Sequence, residues 1–288
     1  MNANSPPPAL VIKNWVKTAM EQLAAVGIAS ARLDAELILS HTLRKDRTYL
    51  HAHSDDILEP RVQKIVDARL ALRLDRIPIA YIVGYKEFYG RRFSVTTDTL
   101  IPRPESEDVI NLLKRILLST THHLPSTTLR LIDIGTGSGC LGITAKLEFP
   151  ELEVTLADIS PPALAVASDN AQRLQADVTI IKSDLLHNYL TQTDIILANL
   201  PYVDSAWEVS PDTVHEPSLA LFASDGGIAL IKKLINQTSA IISQSGFLVL
   251  EADPFQHESI VTHAKRKDFT LHSRKGYVVV FKKIKDQS

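Results

Sequence analysis

The sequence predicts an α/β protein: a doubly wound, mostly parallel sheet with a small helical domain ahead of it. Three observations carry that prediction. From about residue 105 onward, apolar strand-like runs alternate with helix-like segments, the signature of strands joined by crossover helices. Before that point, apolar residues recur at helical spacing instead. Within the alternating part, the run 133–139 (DIGTGSG) concentrates glycines directly after a strand candidate, where a doubly wound fold turns into its first helix.

Taken in order, the chain opens on Pro6-Pro7-Pro8, a lead-in expected to be disordered. Ile12, Trp15/Val16, Ala19/Met20 and Leu23 then mark a first helix, with Gly27 at its end. Ser30 is placed to cap a second helix whose apolar face includes Leu33, Leu37 and Leu43. Pro60 suits the first turn of a third, with Val62, Ile65/Val66, Leu70 and Leu74 on one side. These make a helical bundle over 1–84, near the lower size limit for an independent core.

The run 85–97 (YKEFYGRRFSVTT) is aromatic and β-branched around Gly90, which predicts a β-hairpin. Two prolines in 101–105 (IPRPE) forbid a regular helix or central strand. Residues 85–104 therefore read as a hairpin and Pro-rich linker, and 105–288 as the larger domain. Within it the strand candidates are 129–134, 153–157, 178–182, 194–198, 246–251 and 277–281, and helices include 163–175 and 227–243.

Composition narrows the function classes. The chain has 288 residues, 45% apolar and 22% charged, with a net charge of −2, so it is globular and carries no global polybasic surface for nucleic acid or lipid. The charge is unevenly spread: residues 86–263 hold 12 Lys/Arg against 22 Asp/Glu, a net of −10, whereas 264–288 hold 8 against 2, a net of +6. A solvated edge and helix face is the reading adopted for that basic tail. A lone Cys140 forms no internal disulfide, no run approaches the roughly 18 apolar residues of a membrane span, and MNANSPPPAL is unlike a secretion signal. A cytoplasmic protein is expected. His122-His123, like His51 and His53, lacks further ligands at zinc spacing, and no metal is expected.

Two motifs carry the chemistry. Gly135, Thr136, Gly137, Ser138 and Gly139 follow a strand, and Asp158 ends the next one. Backbone at such glycines approaches a ligand closely, and a carboxylate at that place can accept both hydroxyls of a ribose. As G-x-G-x-G the loop is the nucleoside cradle of an S-adenosylmethionine enzyme; with Gly142 it also satisfies G-x-G-x-x-G of a dinucleotide site, so the loop alone leaves the cofactor open. The second motif is Asn199-Leu200-Pro201-Tyr202, after the 194–198 strand. An Asn side-chain oxygen and the next backbone carbonyl can together accept both hydrogens of a planar NH₂ group. That grip aims the nitrogen's remaining electron density at an electrophilic methyl and stabilises the charge that develops. Tyr202 can stack on the flat substrate and Pro201 stiffens the turn. Hydride transfer needs none of this. Asp184 and Leu185, after the 178–182 strand, are placed to meet an adenine amino group and ring; a helix-capping Asp beside a core Leu is the plainer alternative.

The combination of EFYGRRF (87–93), IPRPES (101–106), DIGTGSG, ADIS (157–160), ANLPYV (198–203) and HEPSLALFASDGG (215–227) resembles the peptide-chain release-factor glutamine methyltransferases. The likeness covers nearly the whole chain, including LDAELILSH at 33–41. It implies a seven-stranded methyltransferase sheet and N5-methylation, from S-adenosylmethionine, of the glutamine in the Gly-Gly-Gln motif of class 1 release factors. It also implies a helical domain that engages the release factor; a monomer is expected, with neither a membrane nor a direct nucleic-acid substrate. Carried over by position, Gly135 to Gly139 cradle the cofactor, Asp158 binds its ribose, Asp184 and Leu185 lie at the adenine, and Asn199 to Tyr202 hold the glutamine amide beside it. Two departures stand out. Leu200 replaces the first proline of the family's usual Asn-Pro-Pro-Tyr, and HSRKGYVVVF replaces its usual C-terminal ending. Arg103 and Glu105 either brace their loop or shape the cofactor entrance. The competing functions are an RNA adenine N6-methyltransferase, whose exocyclic NH₂ poses the same chemical problem, and a cofactor-binding module without turnover.

Overall fold

The computed structural model describes residues 10–120 and 128–284; the Pro6–Pro8 lead-in and His122-His123 lie outside the described residues. Contacts divide the chain into two units, one of Met1–Gly84 with Ser210–His215, the other of Tyr85–Val209 and Glu216–Ser288.

The first unit consists of α1 (Ile12–Ala25), α2 (Ala31–Leu43), α3 (Arg47–Ala52), α4 (Pro60–Leu74) and α5 (Ile79–Val83). Ile12, Trp15, Ala19 and Leu23 of α1 face the core as their spacing predicts, and Val66 and Leu70 of α4 join them. The inward face of α2 differs from the expected one. Ala31, Ala35, Ile38 and Leu39 are buried, while Leu33 is 42% exposed, and Ser30 makes no capping bond with its side chain. The inward turn also carries two carboxylates, which hydrophobic spacing could not anticipate. Asp34 accepts from buried Arg73 at 2.7 Å, and Glu36 from Arg32 at 3.0 Å and Arg47 at 2.8 Å. Burial raises the Glu36 pKa, but the two guanidinium groups outweigh it and hold the carboxyl below its ordinary value. The second Arg73 branch donates to Asp212 at 2.7 Å, which ties the 210–215 segment into this unit. His51 lies on α3, and His53 stacks on Tyr49 at 4.0 Å.

The second unit begins with the hairpin β1 (Tyr85–Phe88) and β2 (Arg91–Ser94). Phe88 and Phe93 are both buried, edge to face at 6.1 Å, in the same cluster as α6 (Glu107–Thr120). The hairpin is thus part of this unit's core, where the sequence suggested a linker. Then follow β3 (Arg130–Ile134), α7 (Cys140–Glu148), β4 (Glu153–Asp158), α8 (Pro161–Leu174), β5 (Thr179–Lys182), β6 (Thr193–Ala198), α9 (Ala229–Ile241), β7 (Ile242–Glu251), α10 (His257–Lys265), β8 (Phe269–Lys275) and β9 (Val278–Lys283). The sheet has seven strands in the order β5-β4-β3-β6-β7-β9-β8. It is parallel from β5 to β7, and β9 runs antiparallel to both neighbours. Alternate residues feed opposite faces: Leu131, Leu156 and Leu197 one cluster, Ile132, Ile196 and Leu248 the other. Both faces are covered, which is why these strands read as continuous apolar runs.

One strand, β8, escaped the sequence reading. It is an edge strand with only Phe269 buried, so it shows no apolar run, and its Lys/Arg content suits an edge that must not pair further. The basic tail is the solvated edge and helix face expected, with Lys265, Arg266, Arg274 and Lys275 exposed, but several of its cations are paired and one is buried. Lys283 is 8% exposed and donates to Ser239 at 2.9 Å, Lys275 bonds Asp108 at 2.7 Å, and Arg274 bonds Glu258 at 2.8 Å. Among the described residues no helix is long and apolar enough to cross a membrane.

Candidate active site

Strand register assembles the site. Ile134 pairs with Ala157 on one side and Ala198 on the other, and Ala198 with Leu250. The next residue in each strand direction is Gly135, Asp158, Asn199 and Glu251, so one row of the sheet delivers all four to its carboxyl edge. β3 lies between β4 and β6, where the chain reverses its direction of winding, the place where doubly wound sheets bind ligands.

The loop after β3 is held from below. Asp133, 1% exposed, accepts from Thr136 Oγ1 at 2.6 Å and the Gly142 amide at 2.9 Å. Burial raises its pKa to about 6 against the pull of those two bonds. Its other oxygen, Oδ1, is buried with no hydrogen-bond partner. Gly135, Gly137 and Gly139 all take positive φ. At Gly135 a Cβ would stand 2.9 Å from Leu200 Cδ2 and 3.9 Å from the Asn199 carbonyl oxygen. The glycine therefore lets the loop lie directly against the Asn199 motif. Leu200 is 3% exposed and packs in the core beneath, which gives this chain's leucine a place of its own.

Asp158 Oδ2 accepts from the Gly137 amide and Oδ1 from the Ser160 amide, both at 2.9 Å. Each oxygen keeps a further lone pair. Asp184 forms a 2.7 Å ion pair with Lys233, and Leu185 is 7% exposed. A cavity of about 270 Å³ gathers these residues: Gly135, Thr136, Gly137, Ser138, Asp158, Asp184, Leu185, Asn199, Leu200 and Pro201 all line it. Gly139 stands behind as the N-cap of α7.

Tyr202 is the last residue of the expected amide grip. It is absent from the cavity lining, and its hydroxyl donates to Glu251 Oε1 at 3.3 Å. Burial and the neighbouring Glu251 carboxylate push the phenol well above its usual range. Glu251 is 1% exposed, and its Oε2 is buried without a partner. Burial raises its pKa, partly opposed by Ser106, Tyr202 and Asn199. Asn199 Nδ2 donates to Ser106 Oγ at 3.1 Å.

The two most distinctive sequence blocks turn out to be partners. Arg103 of IPRPES donates to Glu216 of the HEPSLALFASDGG block at 2.6 Å, and the Ile101 amide donates to the same carboxylate at 3.2 Å. Arg103 both braces the loop and lines the cavity. The rest of that block grips the chain beyond Tyr202. Val203 and Leu221 share a 3.0 Å backbone bond, and Gln256 Nε2 donates to the Tyr202 and Gly226 carbonyls at 2.7 Å each. Ser106, Glu216, Glu251 and Gln256 were not singled out in the sequence. Glu251 did carry a signal, because a carboxylate ending an apolar strand repeats what Asp158 does. Among the described residues no group of His, Cys, Asp and Glu could hold a metal ion.

Residues 14–84 match the family described as PrmC N-terminal domain, and residues 106–216 the Methyltransferase small domain. A release factor glutamine methyltransferase of Koribacter versatilis is 36% identical over 258 residues, 85% of this chain and 89% of the relative. One of Escherichia coli K12 is 33% identical, covering 86% and 88%. A methyltransferase structure from Pyrococcus furiosus superposes with a TM-score of 0.50 at 16% identity, covering 76% of this chain and 98% of the other, a likeness of fold. With such identity sustained over both parts of the sequence, the chain belongs to the release factor glutamine methyltransferase family.

Proposed function

We propose that this protein transfers a methyl group from S-adenosylmethionine to the side-chain N5 of the glutamine in the Gly-Gly-Gln motif of class 1 release factors. The donor set suits the cofactor. Positive-φ glycines open the backbone to a ligand, Asp158 has lone pairs left for two ribose hydroxyls, and Leu185 offers an apolar wall for an adenine whose amino group Asp184 can meet. When bound, the cofactor supplies an electrophilic methyl carbon on a sulfonium sulfur.

The chain's own residues do the rest. Asn199 Oδ1 and the Leu200 carbonyl accept the two amide hydrogens of the substrate and hold its plane. They stabilise positive charge as the nitrogen gives up its delocalised pair, and a proton then leaves to water. The observation that supports this reading is the meeting of grip and cradle: Asn199 and Leu200 line the same cavity as Gly135, Thr136, Gly137 and Asp158. Pro201 fixes the turn that follows.

An RNA adenine would fit the same pair of acceptors, but the segment bearing the site has a net charge of −10, a poor match for a phosphate backbone. A release-factor substrate fits a cytoplasmic enzyme. The test is transfer of labelled methyl from S-adenosylmethionine to purified release factor, followed by peptide mapping. Label on the Gly-Gly-Gln glutamine is expected; label on RNA alone, or none, overturns the reading.

A further inference from the structure

We propose that Ser106 and Glu251 are positioning residues that set which way the Asn199 amide faces, presenting Oδ1 rather than Nδ2 to the substrate. This rests on the reading of Asn199 as the amide grip.

An asparagine side chain is nearly symmetric in shape, and only its hydrogen-bond partners distinguish its two ends. Turned the wrong way, Asn199 would offer N–H donors to a substrate NH₂ that itself has only hydrogens to give. Donor would meet donor, and one of the two acceptors would be lost. Something must therefore select the orientation before substrate arrives.

Ser106 meets that need in part. Its Oγ receives the Asn199 Nδ2 hydrogen at 3.1 Å, which leaves Oδ1 as the remaining polar atom of the amide. A hydroxyl alone does not decide the matter, since it could equally donate to a flipped Oδ1. The choice is made by what lies behind it. Glu251 is 1% exposed, on the strand next to Asn199, with one oxygen buried and unpartnered. A buried carboxylate repels an amide oxygen and draws hydrogens. Its negative charge favours Asn199 Nδ2 over Oδ1 on that side, so that Ser106 meets Asn199 with a lone pair and accepts Nδ2. Both Ser106 and Asn199 favour its ionised form. Tyr202 closes the set from the other side, donating to Glu251 Oε1 at 3.3 Å. Ser106 itself is 2% exposed and stands at the start of α6, held by the loop that Arg103 and Glu216 tie down.

The experiment is a double-mutant cycle on kcat with purified release factor, alongside cofactor Kd by calorimetry. Ser106→Ala is expected to lower kcat about 10-fold, with KM for release factor and cofactor Kd within about twofold. Ser106→Thr, which keeps the hydroxyl, is expected to restore it. In an Asn199→Ala background Ser106→Ala should have no further effect, because the amide it orients is gone. Glu251→Gln should behave as Ser106→Ala does, and it carries the test if the serine variant fails to fold. Unchanged kcat in the single variants, or an undiminished second loss in the Asn199→Ala background, overturns the inference. If Asn199→Ala alone keeps full kcat, the amide grip itself is what fails.

Discussion

Asp158 and Asn199 leave the same edge of one sheet, yet the proposed mechanism gives them different parts of the reaction. Asp158 is already held by two backbone amides, so its orientation is settled before any ligand arrives. Asp158→Ala is expected to raise cofactor Kd by roughly 10–100-fold, the value of hydrogen bonds to a charged group, as calorimetry would read. Asn199→Ala is expected to do the reverse. It should lower kcat by roughly 100-fold or more, the cost of removing a preorganised partner of developing charge, with cofactor Kd nearly unchanged. Equal loss of both in either variant would show that grip and cradle are not separable. The contact between Leu200 and Gly135 adds a reason for leucine at this position: its side chain fills the floor under the glycine loop.

Loops that were only strings of letters become braces at the level of elements. The IPRPES run and the HEPSLALFASDGG block are more than a hundred residues apart, and they meet at Glu216. Glu216→Ala strips a buried acceptor from the Ile101 amide and frees Arg103. It is expected to cost about 2 kcal/mol of stability and to raise the KM for release factor, by thermal melting and steady-state kinetics respectively. The double glycine has an equally local cause. At Gly227, with φ of +83°, a Cβ would lie 2.0 Å from the Tyr202 carbonyl oxygen. Backbone stands against backbone there, so no side chain can yield. Gly227→Ala is expected to destabilise the protein by about 2–3 kcal/mol and to displace the segment after Pro201. A variant with wild-type melting temperature and turnover would refute that close approach.

Across the second unit as a whole, burial of Asp133 couples folding to pH. In the unfolded chain this carboxyl titrates near 3.8, and in the fold at about 6. Between those values the folded protein keeps a proton that the unfolded chain has released. Stability is therefore lost as pH rises through that window, by about 3 kcal/mol for this group. Denaturant titrations of the cofactor-free protein between pH 4 and pH 6.5 are expected to show this loss, and Asp133→Asn is expected to remove it. Parallel pH profiles for the two proteins would count against the assignment. In exchange, its bonds to Thr136 and Gly142 hold the loop that lines the candidate site.

Much of this protein was legible in the order of its residues. Apolar runs at strand length, glycines after one strand, an acid after the next and Asn-Leu-Pro-Tyr after a third all act locally, through backbone sterics and side-chain period, so a linear pattern records them. The inward face of α2 was not legible, because buried Asp34 and Glu36 take their partners from elsewhere in the chain. Nor was β8, whose edge position leaves no apolar trace. The positions of Ser106, Glu216 and Glu251 depend on strand register and on loops that close over long sequence separations. Hydrogen bonding between such distant groups leaves no periodicity, so the support behind the reacting residues was decided only when the sheet was assembled.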